Sequence, residues 1–102
     1  MKVHIVPNEK GNPPGKLADA EIHFDQYDPE PLRGLKLIGF GIWAQRTGEG
    51  RNVTFPARQY SVNGERRSFA LLRPTGDVAA QNNIRDAILK AYSAHEVHEL
   101  GQ

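Results

Sequence analysis

The stretch from residue 53 to residue 72, VTFPARQYSVNGERRSFALL, decides the fold of this chain. At its centre, Asn63 and Gly64 separate two segments, 53–62 and 65–72, in which apolar and aromatic residues recur. Asn-Gly is the preferred pair for a two-residue type I′ turn, because both central positions of that turn need a positive φ. The stretch therefore predicts a β-hairpin in which the numbers of facing residues sum to 127.

The predicted register gathers arginines and aromatic rings on one face of the hairpin. Tyr60 faces Arg67, and Arg58 faces Phe69. Facing residues of an antiparallel pair lie on the same side of the sheet, where their side chains contact one another. We therefore expect these four side chains to form one mixed cationic and aromatic surface.

The same register, extended to the strand ends, places Thr54 opposite Arg73 on that surface. The other face is apolar away from the turn, and we expect it to pack on the core. Its members are Val53, Phe55, Ala57, Ala70 and Leu72. Arg66 lies on this second face, beside the turn. Because Pro56 has no N–H to donate, the first strand should be an edge strand or contain a bulge there.

Three further strands are expected before the hairpin, at residues 2–6, 16–24 and 34–43. The second alternates, with apolar residues at even positions from 18 to 24. The third is almost continuously apolar, which is typical of a central strand buried on both sides over part of its length. Gly39 and Gly41 lack a side chain on one face of that strand, which indicates the close approach of another element.

A single helix is expected after the hairpin, over residues 77–92. Asp77 is a suitable N-cap, and one apolar stripe recurs at helical spacing. The stripe consists of Ile84, Ala87, Ile88 and Ala91. We expect residues 93–102 to form a tail that frays. The predicted fold is α+β: one domain over 1–102, with an antiparallel sheet of four to five strands, including the hairpin, in 1–74 and one C-terminal amphipathic helix.

Composition excludes several classes of protein. The chain has 102 residues and a mass of 11.4 kDa, enough for one domain. It has no cysteine, so disulfides, thiolate zinc sites and cysteine nucleophiles are ruled out. No apolar run approaches the roughly 18 residues needed for a membrane span, and the start is not typical of a signal peptide. We therefore expect a soluble cytoplasmic protein without a membrane contact.

Two motifs that suggest catalysis or cofactor binding stand in the wrong context. Residues 39–44, GFGIWA, match a dinucleotide fingerprint, but that fingerprint must open a helix and here lies in a predicted strand. His95 and His98 are spaced by three rather than four, with no catalytic Glu placed as in the zinc protease motif. The sequence therefore predicts a protein that is not an enzyme and holds neither a cofactor nor a metal.

Positive charge is concentrated in the region of the hairpin. Residues 46–73 contain six arginines against two glutamates, a net charge of +4, whereas the whole chain has a net charge of +1. Arginine has a planar fork that matches phosphate, and cationic surfaces with aromatic platforms bind single-stranded nucleic acid. The pattern predicts an interface for single- or double-stranded DNA or RNA. Its candidate residues are Arg51, Arg58, Tyr60, Arg66, Arg67, Phe69 and Arg73.

Three other interpretations of this face stay open. The arginines and rings can form cross-strand cation–π pairs, worth about 0.5–1 kcal/mol each when exposed. Phe69 and Leu71 can form a dimer interface. The face can also belong to a protein-interaction module that binds an acidic partner.

The order of short motifs along the chain resembles that of the SpoVG family of small bacterial septation and gene-expression regulators. After the MKV start, the motifs are GKLA at 15–18, IHFD at 22–25, GLKLI at 34–38, FPAR at 55–58, GERR at 64–67, LRP at 72–74 and IRDAILKAY at 84–92. The resemblance implies a small antiparallel sheet closed by a C-terminal helix, in a homodimer that binds DNA or RNA. It also implies that Arg58 and Arg67 occupy basic positions of the family.

Overall fold

A computed structural model of the chain describes the backbone of residues 1–48 and 50–100 and the side chains as far as residue 99. The strands are β1 (Lys2–Pro7), β2 (Lys16–His23), β3 (Lys36–Ala44), β4 (Arg51–Thr54), β5 (Ala57–Val62) and β6 (Glu65–Ala70). A short 3-10 turn, Glu30–Leu32, precedes β3, and one helix, α1 (Ala80–Leu100), ends the described chain. This confirms the predicted α+β class.

The first four strands form one antiparallel sheet in the order β1-β2-β3-β4. One face of this sheet is closed by α1, and each strand's inward positions supply the core. The fully buried side chains are Ala18, Ala20, Ile22, Phe40, Ile42, Val53 and Ile88. Burying a side chain the size of Ile88 contributes about 1.5–3 kcal/mol. The predicted apolar stripe of the helix therefore packs on the sheet as expected.

Both glycines of β3 allow a close approach, as their positions predict. Gly39 has a φ of 109°, and a Cβ there would lie 3.1 Å from the Cβ of Pro56. A Cβ on Gly41 would lie 2.8 Å from the Thr54 hydroxyl. Three consecutive residues from 40 to 42 are buried, whereas Ile38 is 58% exposed on the face that α1 does not cover. The strand is thus buried on both sides over the middle part only.

The predicted first strand of the hairpin is divided in two, which corrects the expectation for residues 53–62. Thr54 of β4 pairs with Gly41 of β3, so its predicted pairing with Arg73 does not form. Pro56 lies between β4 and β5, where its missing N–H ends the ladder and its ring packs on Gly39. The ribbon of β5 and β6 is a separate two-stranded sheet.

The predicted apolar core face of the hairpin holds for only part of its length. Val53 is buried in the core, and Phe55 is half-buried against it. Both residues come before the ribbon of β5 and β6. Ala57 is exposed, and Ala70 and Leu72 are only half-buried. Once the chain turns away at Pro56, no element of the described chain lies over the ribbon's second face.

The helix also differs from its predicted bounds. It begins at Ala80 rather than 77, because i to i+3 hydrogen bonds, the first from the Ala80 N–H to the Asp77 carbonyl, form a tighter turn before it. Asp77 Oδ1 accepts the Ala79 N–H at 2.9 Å, the bond that its predicted role as N-cap requires. It continues through residues 93–100, which were expected to fray. Glu96 forms an ion pair of 2.6 Å with Arg51 and holds this part of the helix on β4. Residues 101–102 of the predicted tail lie outside the described residues.

No helix in the described part of the chain is long and apolar enough to span a membrane.

Candidate nucleic-acid interface

The ribbon of β5 and β6 with its turn, residues 57–70, forms an arm that projects from the domain. All residues of β5 are exposed, and in β6 only Ala70 is half-buried. The radius of gyration is 15.2 Å, whereas a compact chain of this length has about 13 Å. The greatest extent, 50 Å, is twice the smallest, 25 Å. The arm therefore offers both of its faces to a partner.

The turn of the arm has the predicted geometry. Asn63 has a φ of 51° and Gly64 a φ of 81°, the two positive values that a type I′ turn requires. Tyr60 pairs with Arg67, and the ladder keeps the predicted register along both strands. The sequence-based assignment of faces is confirmed over residues 57–70.

One face of the arm carries the predicted mixture of charge and aromatic surface. We call Arg58, Tyr60, Arg67 and Phe69 the arginine–aromatic face. The rings of Tyr60 and Phe69 lie 5.8 Å apart at 62°, an edge-to-face pair across the ladder. Their residues remain 41% and 43% exposed. The rings therefore support one another and still present surface for stacking.

The two arginines of this face are available to an anion. Arg67 Nη2 donates to Glu65 Oε2 at 3.2 Å, but both side chains are more than half exposed. Such surface ion pairs contribute only about 0–1 kcal/mol, so a phosphate can replace the carboxylate. Among the residues that the structure describes, Arg58 has no ion-pair partner. The arm as a whole has three arginines and one glutamate, a net charge of +2.

Arg66 lies on the other face of the arm, as predicted from the register. It stands opposite Ser61 and borders a shallow hollow with Gln59 and the edge of Tyr60. The residues that share this face next to Arg66, Gln59 and Ser61, are polar, so the face has a charge but no aromatic residue of its own.

Two of the predicted site residues lie away from the arm. Arg51 is on β4, which pairs with β3, and its side chain contacts α1. Its guanidinium lies 5.2 Å from the Tyr92 ring and binds Glu96. Arg73 follows the arm and lines an apolar cavity beside the start of α1. Arg51 and Arg73 therefore lie outside the arginine–aromatic face of the arm.

The sequence did not indicate a polar cluster on the open face of the four-stranded sheet. The rings of His4 and His23 stack 5.2 Å apart, and His23 Nε2 lies 2.9 Å from Glu21 Oε1. The hydrogen bond with His23, followed by the charge of Lys36, lowers the pKa of Glu21. Strand alternation was visible in the sequence, but the pairing of β1 with β2 that brings His4 beside His23 was not.

A second unpredicted feature of the open face is an indole on β3. Trp43 donates from Nε1 to Thr54 Oγ1 at 2.9 Å, across the position where Gly41 has no side chain. Lys16 Nζ lies 5.8 Å from the centre of the ring.

In the described part of the chain, no three acidic or His side chains are grouped so that they could hold a metal ion.

The arm is thus the exposed, cationic and aromatic surface of the described chain, and its geometry comes from its own turn and ladder. Comparisons of the whole chain with protein-family models, with curated proteins and with solved structures gave no significant match.

Proposed function

We propose that this chain is a non-enzymatic nucleic-acid-binding regulatory protein of the SpoVG-like type, and that its arm contacts the nucleic acid. The observation that supports this function is the arginine–aromatic face. Arg58 and Arg67 lie beside two exposed rings on a ribbon whose residues are all exposed except for half-buried Ala70 at its base.

The chemistry of this face matches a flexible polyanion with flat bases. Arginine forks bind phosphate oxygens, which supply affinity without sequence information. A base stacked on an aromatic side chain adds about 1–3 kcal/mol. Tyr60 and Phe69 have the exposure that stacking requires, and each lies opposite an arginine in the ladder. Single strands, in which bases are free to stack, are the substrate that uses both parts of the face.

The shape of the arm also suits a duplex. A two-stranded β-ribbon fits the major groove of B-DNA, which is about 12 Å wide. In that arrangement the arginine–aromatic face would lie towards one wall of the groove and Arg66 towards the other. A homodimer, which we propose as the working assembly, would present two such arms related by twofold symmetry.

A second candidate function is a protein-interaction module that binds an acidic partner through the same face. Exposed apolar surface favours it: Tyr60, Val62 and Phe69 lie on one face of the ladder, each more than 40% exposed. Leu71, which follows β6, is 59% exposed. Exposed apolar patches are typical of protein interfaces. This partner would use the arginines for carboxylates rather than phosphates.

Fluorescence anisotropy with labelled single- and double-stranded DNA and RNA at low salt tests the proposal. We expect binding to at least one of these oligonucleotides, with weakening as salt rises. Lys90→Ala, which removes an exposed charge from α1, is the control and should bind as the wild type does. If no oligonucleotide binds at low salt, where electrostatic attraction is strongest, the nucleic-acid function is wrong and the protein-interaction module replaces it.

A further inference from the structure

A cavity of about 260 Å³ lies at the base of the arm, where the sheet, the arm and the first turn of α1 meet. Its walls are largely apolar. The main lining side chains are Ile22, Phe24, Leu37, Phe55, Leu72 and Ile84.

The cavity opens to solvent and is not a void within the core. The lining residues Phe24, Phe55 and Leu72 pack against the core on one side but are only partly buried. Their remaining surface faces the cavity, so a bound apolar group would remove it from water.

Arg73 is an exposed, charged residue among those that line this apolar cavity. Arg73 and Gln81 are the polar side chains of the lining. Within residues 1–48 and 50–99, the Arg73 guanidinium has no hydrogen bond or ion pair. Arg85 adds a second positive charge nearby, because its guanidinium lies 5.4 Å from the ring of Phe55, a lining residue.

The other positive groups at the cavity are already occupied. The Met1 ammonium is held by Asp25 at 3.3 Å and by Asp28 at 2.8 Å. At the start of α1, the Ala80 N–H donates to the Asp77 carbonyl. An anion in the cavity would therefore be bound by the Arg73 side chain and not by the helix terminus.

We propose that this cavity binds a small amphipathic carboxylate, with the apolar body among Phe24, Phe55 and Ile84 and the carboxylate on Arg73. Ligand sites are mostly apolar with a few placed polar groups, and those for drug-sized ligands have about 300–1,000 Å³. A volume just below that range suits a short aliphatic or single-ring acid. The guanidinium fork matches a carboxylate in two parallel hydrogen bonds.

Titration of the full chain with octanoate, followed by NMR of the labelled Ile, Leu and Val methyl groups, tests the proposal. We expect the methyl signals of Ile22, Leu72 and Ile84 to shift, with a dissociation constant on the order of 1 mM. Neutral 1-octanol should bind about tenfold more weakly, because it cannot form a charge-assisted hydrogen bond.

Two variants separate the apolar and the charged parts of the site. Arg73→Gln should weaken octanoate binding about tenfold and leave 1-octanol binding unchanged. Ala80→Leu adds bulk to the lining and should weaken both ligands, while it keeps a good helix former at that position. Arg46→Gln, an exposed arginine in the loop after β3, is the matched control and should bind octanoate normally.

Three results would overturn the proposal. If octanoate shifts the methyl signals of residues that do not line the cavity, the cavity is not its binding site. If wild type and Arg73→Gln bind octanoate equally, Arg73 does not hold the carboxylate. Lining signals that respond to dilution of the protein and not to octanoate show that a second copy of the chain covers the cavity. None of these measurements uses nucleic acid, so their outcome is independent of the function of the arm.

Discussion

Removing both arginines of the arginine–aromatic face is the most informative change to this protein. Arg58 and Arg67 are exposed and lie on the same side of the ladder. Each phosphate contact contributes about 0.7 to the slope of log K against log salt on a single strand and about 0.9 on a duplex. The double variant Arg58→Ala with Arg67→Ala should therefore flatten this slope by about 1.5.

The flatter slope has a direct consequence for affinity. Between 50 and 200 mM salt, a slope difference of 1.5 changes the ratio of wild-type to variant affinity roughly eightfold. Anisotropy titrations at four or five salt concentrations measure it. The free energy of unfolding, obtained from thermal melts, should change by no more than about 0.5 kcal/mol, as is usual for surface substitutions. The reason is that neither arginine packs on the core and that the Arg67–Glu65 pair is solvent-exposed.

Arg66→Ala is the matched control, since it removes one charge from the same arm but from the other face. We expect a smaller loss of affinity than for Arg67→Ala alone. Equal losses for these two variants would refute the assignment of binding to one face and would mean that the charge acts diffusely. A strong fall in the melting temperature of the double variant would show that the arm is coupled to the core.

Four further predictions concern the ring, the core, the assembly and pH. Phe69→Ala should weaken single-strand binding by about 1–3 kcal/mol without changing the salt slope, as measured by anisotropy. Ile88→Ala should lower the free energy of unfolding in urea by about 2–5 kcal/mol; a loss below about 1 kcal/mol would mean that α1 does not dock. Light scattering should give a dimer near 23 kDa, twice the monomer mass; a monomer at micromolar concentration would exclude it. The hydrogen bond from the Met1 ammonium lowers the pKa of Asp28. The stability that this carboxylate contributes is therefore present above its ordinary pKa of 3.8 and is lost as the pH falls through the lowered pKa. In urea unfolding, Asp28→Asn should lose less stability on acidification than the wild type does.

Those parts of the structure that depend on neighbours in sequence were predictable. The register of the arm follows from Asn63 and Gly64, because a type I′ turn fixes which residues face one another. Burial of Ile88 follows from helical spacing, since one stripe of an amphipathic helix must lie on the sheet. The arginine–aromatic face was therefore visible before any tertiary contact was known.

The parts that depend on distant residues were not predictable. Pro56 predicted an interruption of the first hairpin strand. The sequence did not show that the residues before Pro56 would pair with β3 instead of with the second hairpin strand. Because of that change, the register of the hairpin does not extend to Thr54 and Arg73. The C-terminal half of α1 is held by the pair of Arg51 and Glu96, which are 45 residues apart in sequence. Helix spacing alone gave no sign of that contact.

The chain is divided into a packed domain, which contains the buried core, and an exposed arm. An isolated two-stranded hairpin is at best marginally stable in water, and this arm has only its turn, the Tyr60–Phe69 pair and the ladder at its base to hold it. One bond there, from the Leu71 N–H to the Pro56 carbonyl, is 2.8 Å long. None of Arg58, Tyr60, Arg67 and Phe69 packs in the core, so the stability of the core does not depend on them. Their placement together on one exposed face is what the proposed nucleic-acid partner, with phosphates and flat bases, would require. For the same reason, substitutions in the arm should change binding while leaving the core intact, which is the condition under which the salt slope can be interpreted.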